Sequence, residues 1–184
     1  MEKDLKKNIH LDGIKVSTFF SGIKKTPNNE DDTLLIEFDK PCPIAGVFTK
    51  SLTSSAPVNQ CKSNLSYSEQ ATVRAIVVNS GNANAFTGKL GEQTVLKISK
   101  YLSKLLKSNI NQIYTASTGV IGEQLDPDKI INSFKSMTSH KTQNWLRAAH
   151  AIKTTDTFPK IAMRTCKIDG FEIDIVGIAK GSGM

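Results

Sequence analysis

Two hydrophobic periods divide the chain. Near its middle, Val95, Ile98, Leu102 and Leu105 recur at spacings of three and four. Lys97, Lys100, Lys104 and Lys107 repeat that spacing about 200° around the axis, which predicts an amphipathic helix over residues 91–107. A second helix is expected after Asp126, a capping residue, and Pro127, which suits a first turn; Ile130, Ile131, Phe134 and Met137 would face inward. A third, over about 142–152, would bury Trp145, Leu146, Ala149 and Ile152. Short β-prone runs appear in "TLLIEF" (33–38) and "IAGVFTK" (44–50), separated by "PCP", which forbids a continuous helix. "RAIVVNSG" (74–81) reads as a strand buried on both sides that ends in a loop, and a further strand falls around 112–116. In the last quarter the period becomes two. Ile161, Met163 and Thr165 alternate with polar or small residues, as do Phe171, Ile173 and Ile175, and Asp169-Gly170 between the runs signals a hairpin. "KKTPNNEDD" (24–32) reads as an exposed loop. The sum is a mixed α/β protein with partly antiparallel strands, not a simple βαβ repeat.

Composition narrows the function classes. The chain has 184 residues and 24 Lys+Arg over 17 Asp+Glu, a net charge of +7 that favours acidic partners. Nucleic acid is a poor fit, because the lysines form the wet face of a helix and no aromatics interleave to stack bases. The three cysteines, Cys42, Cys61 and Cys166, contain no CxxC pair, which argues against a disulfide framework or a zinc site. The start "MEKDLKKNIH" has no apolar stretch after it, and nowhere do 18 apolar residues run together. A secretory signal and a membrane span are therefore not expected, the Asn64-Leu65-Ser66 sequon reads as incidental, and a cytoplasmic setting is. His10, His140 and His150 form neither a metal pair nor a Ser/His/Asp set, so the chain lacks a nucleophile system of its own.

Three polar segments exceed what folding requires, and a fourth, at the end, has a second reading. "NSGNANAFTG" (79–88) does not fit dinucleotide or P-loop glycine spacing; it is either a tight turn or a loop presenting amides to a polar ligand. In "ASTGVIGEQLD" (116–126), Thr118 offers a hydroxyl and Gly119 lets a backbone amide approach a ligand, the pair an oxyanion hole needs; a turn held by hydroxyls is the simpler reading. "IKTTDTFPK" (152–160) flanks Asp156 with three threonines, more than capping explains. "AKGSGM" (179–184) sets Lys180 beside a glycine-rich backbone suited to a carboxylate, unless it is only a loose end.

In this order, "NSGNANAFTG", "ASTGVIG", "TTDTFPK" and "GIAKGSGM" resemble the ornithine acetyltransferase family, also called the glutamate N-acetyltransferase or bifunctional ArgJ-type family. The likeness runs from "AGVFT" near residue 45 to the end. It implies a layered α/β sandwich of the ornithine acetyltransferase type, completed by a separate β chain. It also implies a precursor that cuts itself before an internal threonine, and an α2β2 heterotetramer. Residues 1–184 would be a single α-chain domain, lacking the last few residues before the cleavage site. The nucleophilic threonine would lie on the β chain. Acetyl would pass from N-acetylornithine to that threonine and then to glutamate, a ping-pong exchange in arginine biosynthesis. Thr118 and Gly119 match the oxyanion-hole positions, and Thr154 and Lys180 the substrate contacts, with Thr155 in the same motif as Thr154. No metal and no cofactor are implied; acetyl-CoA enters only as an alternative donor substrate. Partners are the β chain and the small substrates, not nucleic acid or membrane. Phe86 departs from the family's usual small residue, and Phe158 occupies a variable position. The competing readings are a self-processing amidohydrolase or aminopeptidase, in which water replaces glutamate, and a basic binding module.

Overall fold

In the computed structural model, which describes residues 10–26, 28–136 and 143–181, the chain builds one four-stranded sheet and one hairpin. The sheet contains β1 (Ile14–Phe19), β2 (Thr33–Pro43), β3 (Thr72–Asn82) and β4 (Ile113–Val120), side by side in that order. The first two pairings are antiparallel and β3–β4 is parallel. A parallel neighbour requires a crossover, and α2 (Gly88–Leu105) supplies it. α1 (Ala56–Ser66) connects β2 to β3, and α3 (Pro127–Ser133) and α4 (Trp145–Ala151) follow β4. The hairpin is β5 (Lys160–Ile168) and β6 (Phe171–Ala179).

Side-chain alternation along the strands sends two apolar sets to opposite faces. On one face Phe19, Leu35, Ala75, Val77 and Ile113 meet Ile98 and Leu102 of α2, with Ile130 and Phe134 closing the end. The Phe134 ring stands edge-on to Phe19, centroids 5.5 Å apart. On the other face Val16 and Leu34 meet Trp145, Ala148 and Ala151 of α4, and the hairpin adds Ile161, Met163, Val176 and Ile178. The result is layered: helices, sheet, then α4 with the hairpin. α1 lies along the open edge of β4, where unpaired carbonyls would otherwise invite another strand. The Asn64 amide donates to the Ile113 carbonyl at 2.9 Å, and the Cys61 thiol to that of Thr115 at 3.2 Å.

Most expected elements form, with informative differences. The lysines of α2 are exposed and Asp126 caps α3 through the Asp128 amide, as expected. Asp169 and Gly170 turn the hairpin with φ of 49° and 83°, the left-handed pair that a two-residue turn needs. Residues 44–50, however, form no strand; "PCP" instead belongs to the end of β2. The β1 ladder ends at the Ile14–Phe38 pair, followed only by the bond from the Asp39 N–H to the Gly13 carbonyl, so residues 40–43 have no strand partner on that side, and the β2–β3 register shifts between Glu37 and Cys42. Proline is tolerated at such an edge and bulge. β3 is not equally buried on its two sides, because its residues alternate between fully and half covered. β4 runs on through Thr118 to Val120, so "ASTG" is strand, not turn. Leu105 and Leu146 are 44% and 43% exposed, each lying beyond the arc of its helix that touches the sheet. α1 had no expectation, and β1 only the unplaced early strand that a loop at 24–32 between strands implies. Met137 and Thr142 lie outside the described residues.

The loop between β1 and β2 is exposed over much of its length, yet Asp32 within it is fully buried. Its carboxylate accepts the backbone N–H of Ser21 at 2.7 Å, Ile23 at 2.7 Å and Lys24 at 2.9 Å. Asp32→Ala would strand three donors in a water-poor setting and is expected to cost roughly 3 kcal/mol, read by denaturant unfolding. An unchanged midpoint would mean the loop satisfies itself elsewhere.

Candidate functional site

Parallel strands tend to gather ligand-binding groups beyond their carboxyl ends. Here β3 and β4 end side by side, with Ser80 opposite Thr118 and Gly81 opposite Gly119. The approach is close: a Cβ on Gly119 would lie 2.2 Å from the Gly81 carbonyl carbon and 2.5 Å from the Asn82 nitrogen. Glycine at 119 is thus required by strand packing, at φ 134°.

The asparagines of "NSGNANAFTG" hold these strand ends together. The Asn79 amide donates to the Asn82 carbonyl at 2.8 Å, and its oxygen accepts the Ser117 hydroxyl at 2.6 Å. The Asn82 side chain accepts the Asn84 N–H at 2.8 Å and donates to the Glu123 carbonyl at 3.1 Å. Asn84 is fully buried, binding the Gly91 carbonyl and the Thr87 hydroxyl. These three side-chain amides build the turn and are engaged within it. Phe86 is 71% exposed at φ 56°, pointing away from the packed turn.

Against that background Thr118 is distinctive. Of the aliphatic hydroxyls in β4, Thr115 donates to Gln60 at 2.6 Å and Ser117 to Asn79, whereas that of Thr118 has no hydrogen-bond partner among the described residues. Across the ladder from it, the Ser80 hydroxyl donates to the Ala151 carbonyl at 2.7 Å. That bond docks the end of α4, and with it the "TTDTFPK" segment, beside the β3–β4 ends.

"TTDTFPK" and "AKG" meet at Asp156, whose side chain is only 3% exposed. One carboxylate oxygen accepts the Lys160 ammonium at 2.7 Å and the Gly181 N–H at 2.6 Å; the other accepts the Thr154 N–H at 3.2 Å. The bond from Lys160 is the chief reason the Asp156 carboxyl is held well below the usual carboxylate range; burial opposes it, and the Thr154 and Gly181 amides reinforce it. Lys160 also donates to the Phe158 carbonyl and lies 4.5 Å above the Phe158 ring. Its charge is neutralised. Lys180, half-buried, donates to the neutral Gly181 carbonyl at 2.9 Å and forms no ion pair among the described residues. Of "AKGSGM", the structure describes Ala179 to Gly181.

The four residues singled out from the sequence therefore fall into two joined pairs. Thr118 and Gly119 sit at the strand ends, Thr154 and Lys180 share the Asp156 carboxylate's neighbourhood, and Ser80 links the pairs through α4. The sequence did not reveal the parts played by Ser80 and Asp156. The crowding of threonines around Asp156 was the one available signal.

Other reactive groups lie apart. Among the described residues no group of three or more His, Cys, Asp and Glu could hold a metal ion. Burial pushes the Cys61 thiol up, away from nucleophilic character. Burial also pushes the His150 imidazole down. His10 is exposed beside Asp12, and His140 lies outside the described residues. A hollow of about 340 Å³ between α1 and α2 is lined by Gln60, Asn64 and Ser99, whose polar atoms are already bonded to one another or to β4. No helix among the described residues is long and apolar enough to cross a membrane.

A model of the ArgJ family matches residues 15–184. The arginine biosynthesis bifunctional protein ArgJ of Bartonella henselae is 49% identical over 175 residues, which are 95% of this chain and 42% of that protein. Its counterpart in Rhizobium meliloti is 45% identical over 175 residues, 95% of this chain and 41% of that protein. The chain thus spans about two-fifths of the length of the curated relatives it matches. Among solved structures, the arginine biosynthesis bifunctional protein ArgJ of Bacillus halodurans matches with a TM-score of 0.83 at 28% identity, covering 94% of this chain and 88% of that one. Ornithine acetyltransferase of Mycobacterium tuberculosis, solved with ornithine, matches with a TM-score of 0.73 at 29% identity, covering 94% and 90%. The mixed α/β architecture is the one these two solved proteins share.

Proposed function

The chain belongs to the ArgJ family, and from that premise we propose that it is the α chain of an N-acetyltransferase of arginine biosynthesis. The enzyme moves acetyl from N-acetylornithine to glutamate. The observation that carries this reading is Lys180, a cation without an ion pair among the described residues, held beside Thr154. A compact ammonium whose present acceptor is a neutral carbonyl is suited to exchange it for an α-carboxylate, which both substrates possess.

The rest of the machinery follows from an N-terminal threonine on the β chain, its own α-amine serving as base. The threonine oxygen attacks the acetyl carbonyl, the carbonyl electrons collect on oxygen, and the amide C–N bond breaks as ornithine leaves with a proton. Glutamate's amine then attacks the acetyl-threonine, and the threonine oxygen leaves as N-acetylglutamate forms. The free Thr118 hydroxyl is the donor for the oxyanion in both steps, with the Gly119 amide beside it. Acetyl-CoA is the alternative donor substrate in this reading, with which the relatives' description as bifunctional is compatible. No metal or cofactor takes part.

The outer face of the hairpin supports a partner chain. Ile168, Phe171, Ile173 and Ile175 share that face and are 38% to 75% exposed, while the inner face packs on α4. The β chain covers this stripe, and two αβ pairs form an α2β2 enzyme in the cytoplasm.

The test is donor exchange with the complete enzyme. N-Acetylornithine with glutamate should yield ornithine and N-acetylglutamate in equal amounts, and acetyl-CoA should replace N-acetylornithine. Ornithine release that ignores glutamate would instead identify a hydrolase. Lys180→Ala is expected to raise KM for both amino-acid substrates about tenfold with the fold intact, the loss of one charge-assisted bond. Unfolding of that variant would make Lys180 a structural residue.

A further inference from the structure

We propose that Asp156 is a positioning residue that fixes Thr154 and Lys180 against one another, and so sets the substrate affinity of the site. The inference rests on the reading of those two residues as substrate contacts. It begins with chain connectivity. Between Asp156 and Gly181 lies the β5–β6 hairpin, which folds back through pairings from Lys160–Ala179 to Ile168–Phe171. Lys180 leaves that ladder immediately after its last pair. Left there, its backbone would be anchored on one side only.

The Asp156 carboxylate supplies the second anchor by accepting the N–H of Gly181 at 2.6 Å. Lys180 is thereby held between a strand pair and a buried acceptor, while the Thr154 N–H takes the other oxygen of the same carboxylate. One side chain thus fixes the backbone of both proposed contacts. The fit leaves no slack, since a Cβ on Gly181 would lie 2.3 Å from the Asp156 oxygen.

Asp156 acts electrostatically as well. Two lysines flank this corner, and a substrate carboxylate would be drawn to either. Asp156 engages the Lys160 ammonium at 2.7 Å, whereas Lys180, like Lys153 next to Thr154, has no ion pair among the described residues. Removing the carboxylate would therefore loosen the Lys180 backbone and release Lys160 as a competing cation.

The experiment is a double-mutant cycle in the complete enzyme, reading KM and kcat separately. Asp156→Asn keeps the side chain's size but removes its charge. It is expected to raise KM for N-acetylornithine and glutamate about tenfold with kcat changed by less than about threefold, the signature of lost ground-state binding. In a Lys180→Ala background the same change should raise KM by less than about twofold, because its route of action is already gone. A KM rise undiminished in that background, or no rise in the parent, would overturn the proposal. Should Asp156→Asn not fold, Lys160→Met retains both backbone bonds and leaves the carboxylate without its cation, one residue from Lys180 along the chain through the Gly181 N–H. It should raise KM in the parent and not in the Lys180→Ala background; an unchanged KM overturns the proposal. The underlying reading is judged separately: if Lys180→Ala alone leaves KM unaltered, Lys180 is no substrate contact and both fall.

Discussion

Gly119→Ala is expected to yield no stably folded, active enzyme. The added Cβ would lie 2.2 Å from the Gly81 carbonyl carbon, 2.5 Å from the Asn82 nitrogen and 2.6 Å from the Gly81 oxygen. All three are backbone atoms, so no side-chain rotation relieves the contact. Gly81 cannot recede easily, because a Cβ built on it would already lie 2.8 Å from the Lys24 Cα. The layers behind are equally fixed: the Lys24 N–H is bonded to buried Asp32. At φ 134° an alanine would also be strained in its own backbone. Together these effects place the cost above about 4 kcal/mol, a large share of a domain's whole stability. Gly88→Ala is the control. Its φ of 54° lies in the left-handed helical region, a milder strain for alanine, and nothing lies within 4 Å of a Cβ there, so a loss of about 1 kcal/mol is expected. Soluble yield and thermal unfolding of the two variants measure the difference. If Gly119→Ala folds with the parent's Tm, the β3–β4 approach is looser than the structure has it, and glycine is needed there for chemistry alone.

That contrast explains why part of the fold was legible and part was not. Periodicity announces an element when one face is uniformly wet, as in α2, and local turn chemistry announces Asp169-Gly170, because each signal is contained within a few residues. α1 gave no such signal. Its buried residues Pro57, Cys61 and Asn64 include an amide bonded to the edge of β4, and an amide turned inward looks like a wet one in sequence. The strand through "PCP" was hidden for a related reason, since a proline's tolerance depends on whether a neighbour occupies that edge. Leu146 and Leu105 show the converse: an apolar residue at helical spacing need not find a partner.

The site divides along the same line. Thr118, Gly119, Thr154 and Lys180 were found by likeness of short motifs, and the structure puts each pair in one neighbourhood. What joins them could not be read locally. Asp156 and Gly181 are 25 residues apart, and Ser80 and Ala151 are 71 apart. Both bonds exist only once the sheet, α4 and the hairpin are assembled. A motif search finds candidate contact groups more readily than the bonds that hold them in place.

Thr118→Val is expected to lower kcat by about 100- to 1000-fold while leaving KM and Tm close to the parent's. The stability half of that expectation comes from the strand. Valine keeps the β-branched shape that suits β4, and the hydroxyl removed is half-exposed with no partner among the described residues. Its loss therefore orphans nothing, unlike the same change at Thr115, which would strip Gln60 of a 2.6 Å bond. The catalytic half comes from timing. A donor aimed at an oxyanion gains most of its strength when the carbonyl becomes tetrahedral, so its loss falls on the transition state and hardly on substrate binding. In the proposed mechanism both half-reactions pass through such an intermediate, so acetyl-enzyme formation and acetyl transfer to glutamate should slow together. Thr118→Ser, which restores the hydroxyl, should recover most of kcat. The measurement is steady-state kinetics on all three enzymes alongside thermal unfolding. A valine variant with undiminished kcat would move the oxyanion donors away from β4, and one with lowered Tm would make the hydroxyl a structural group.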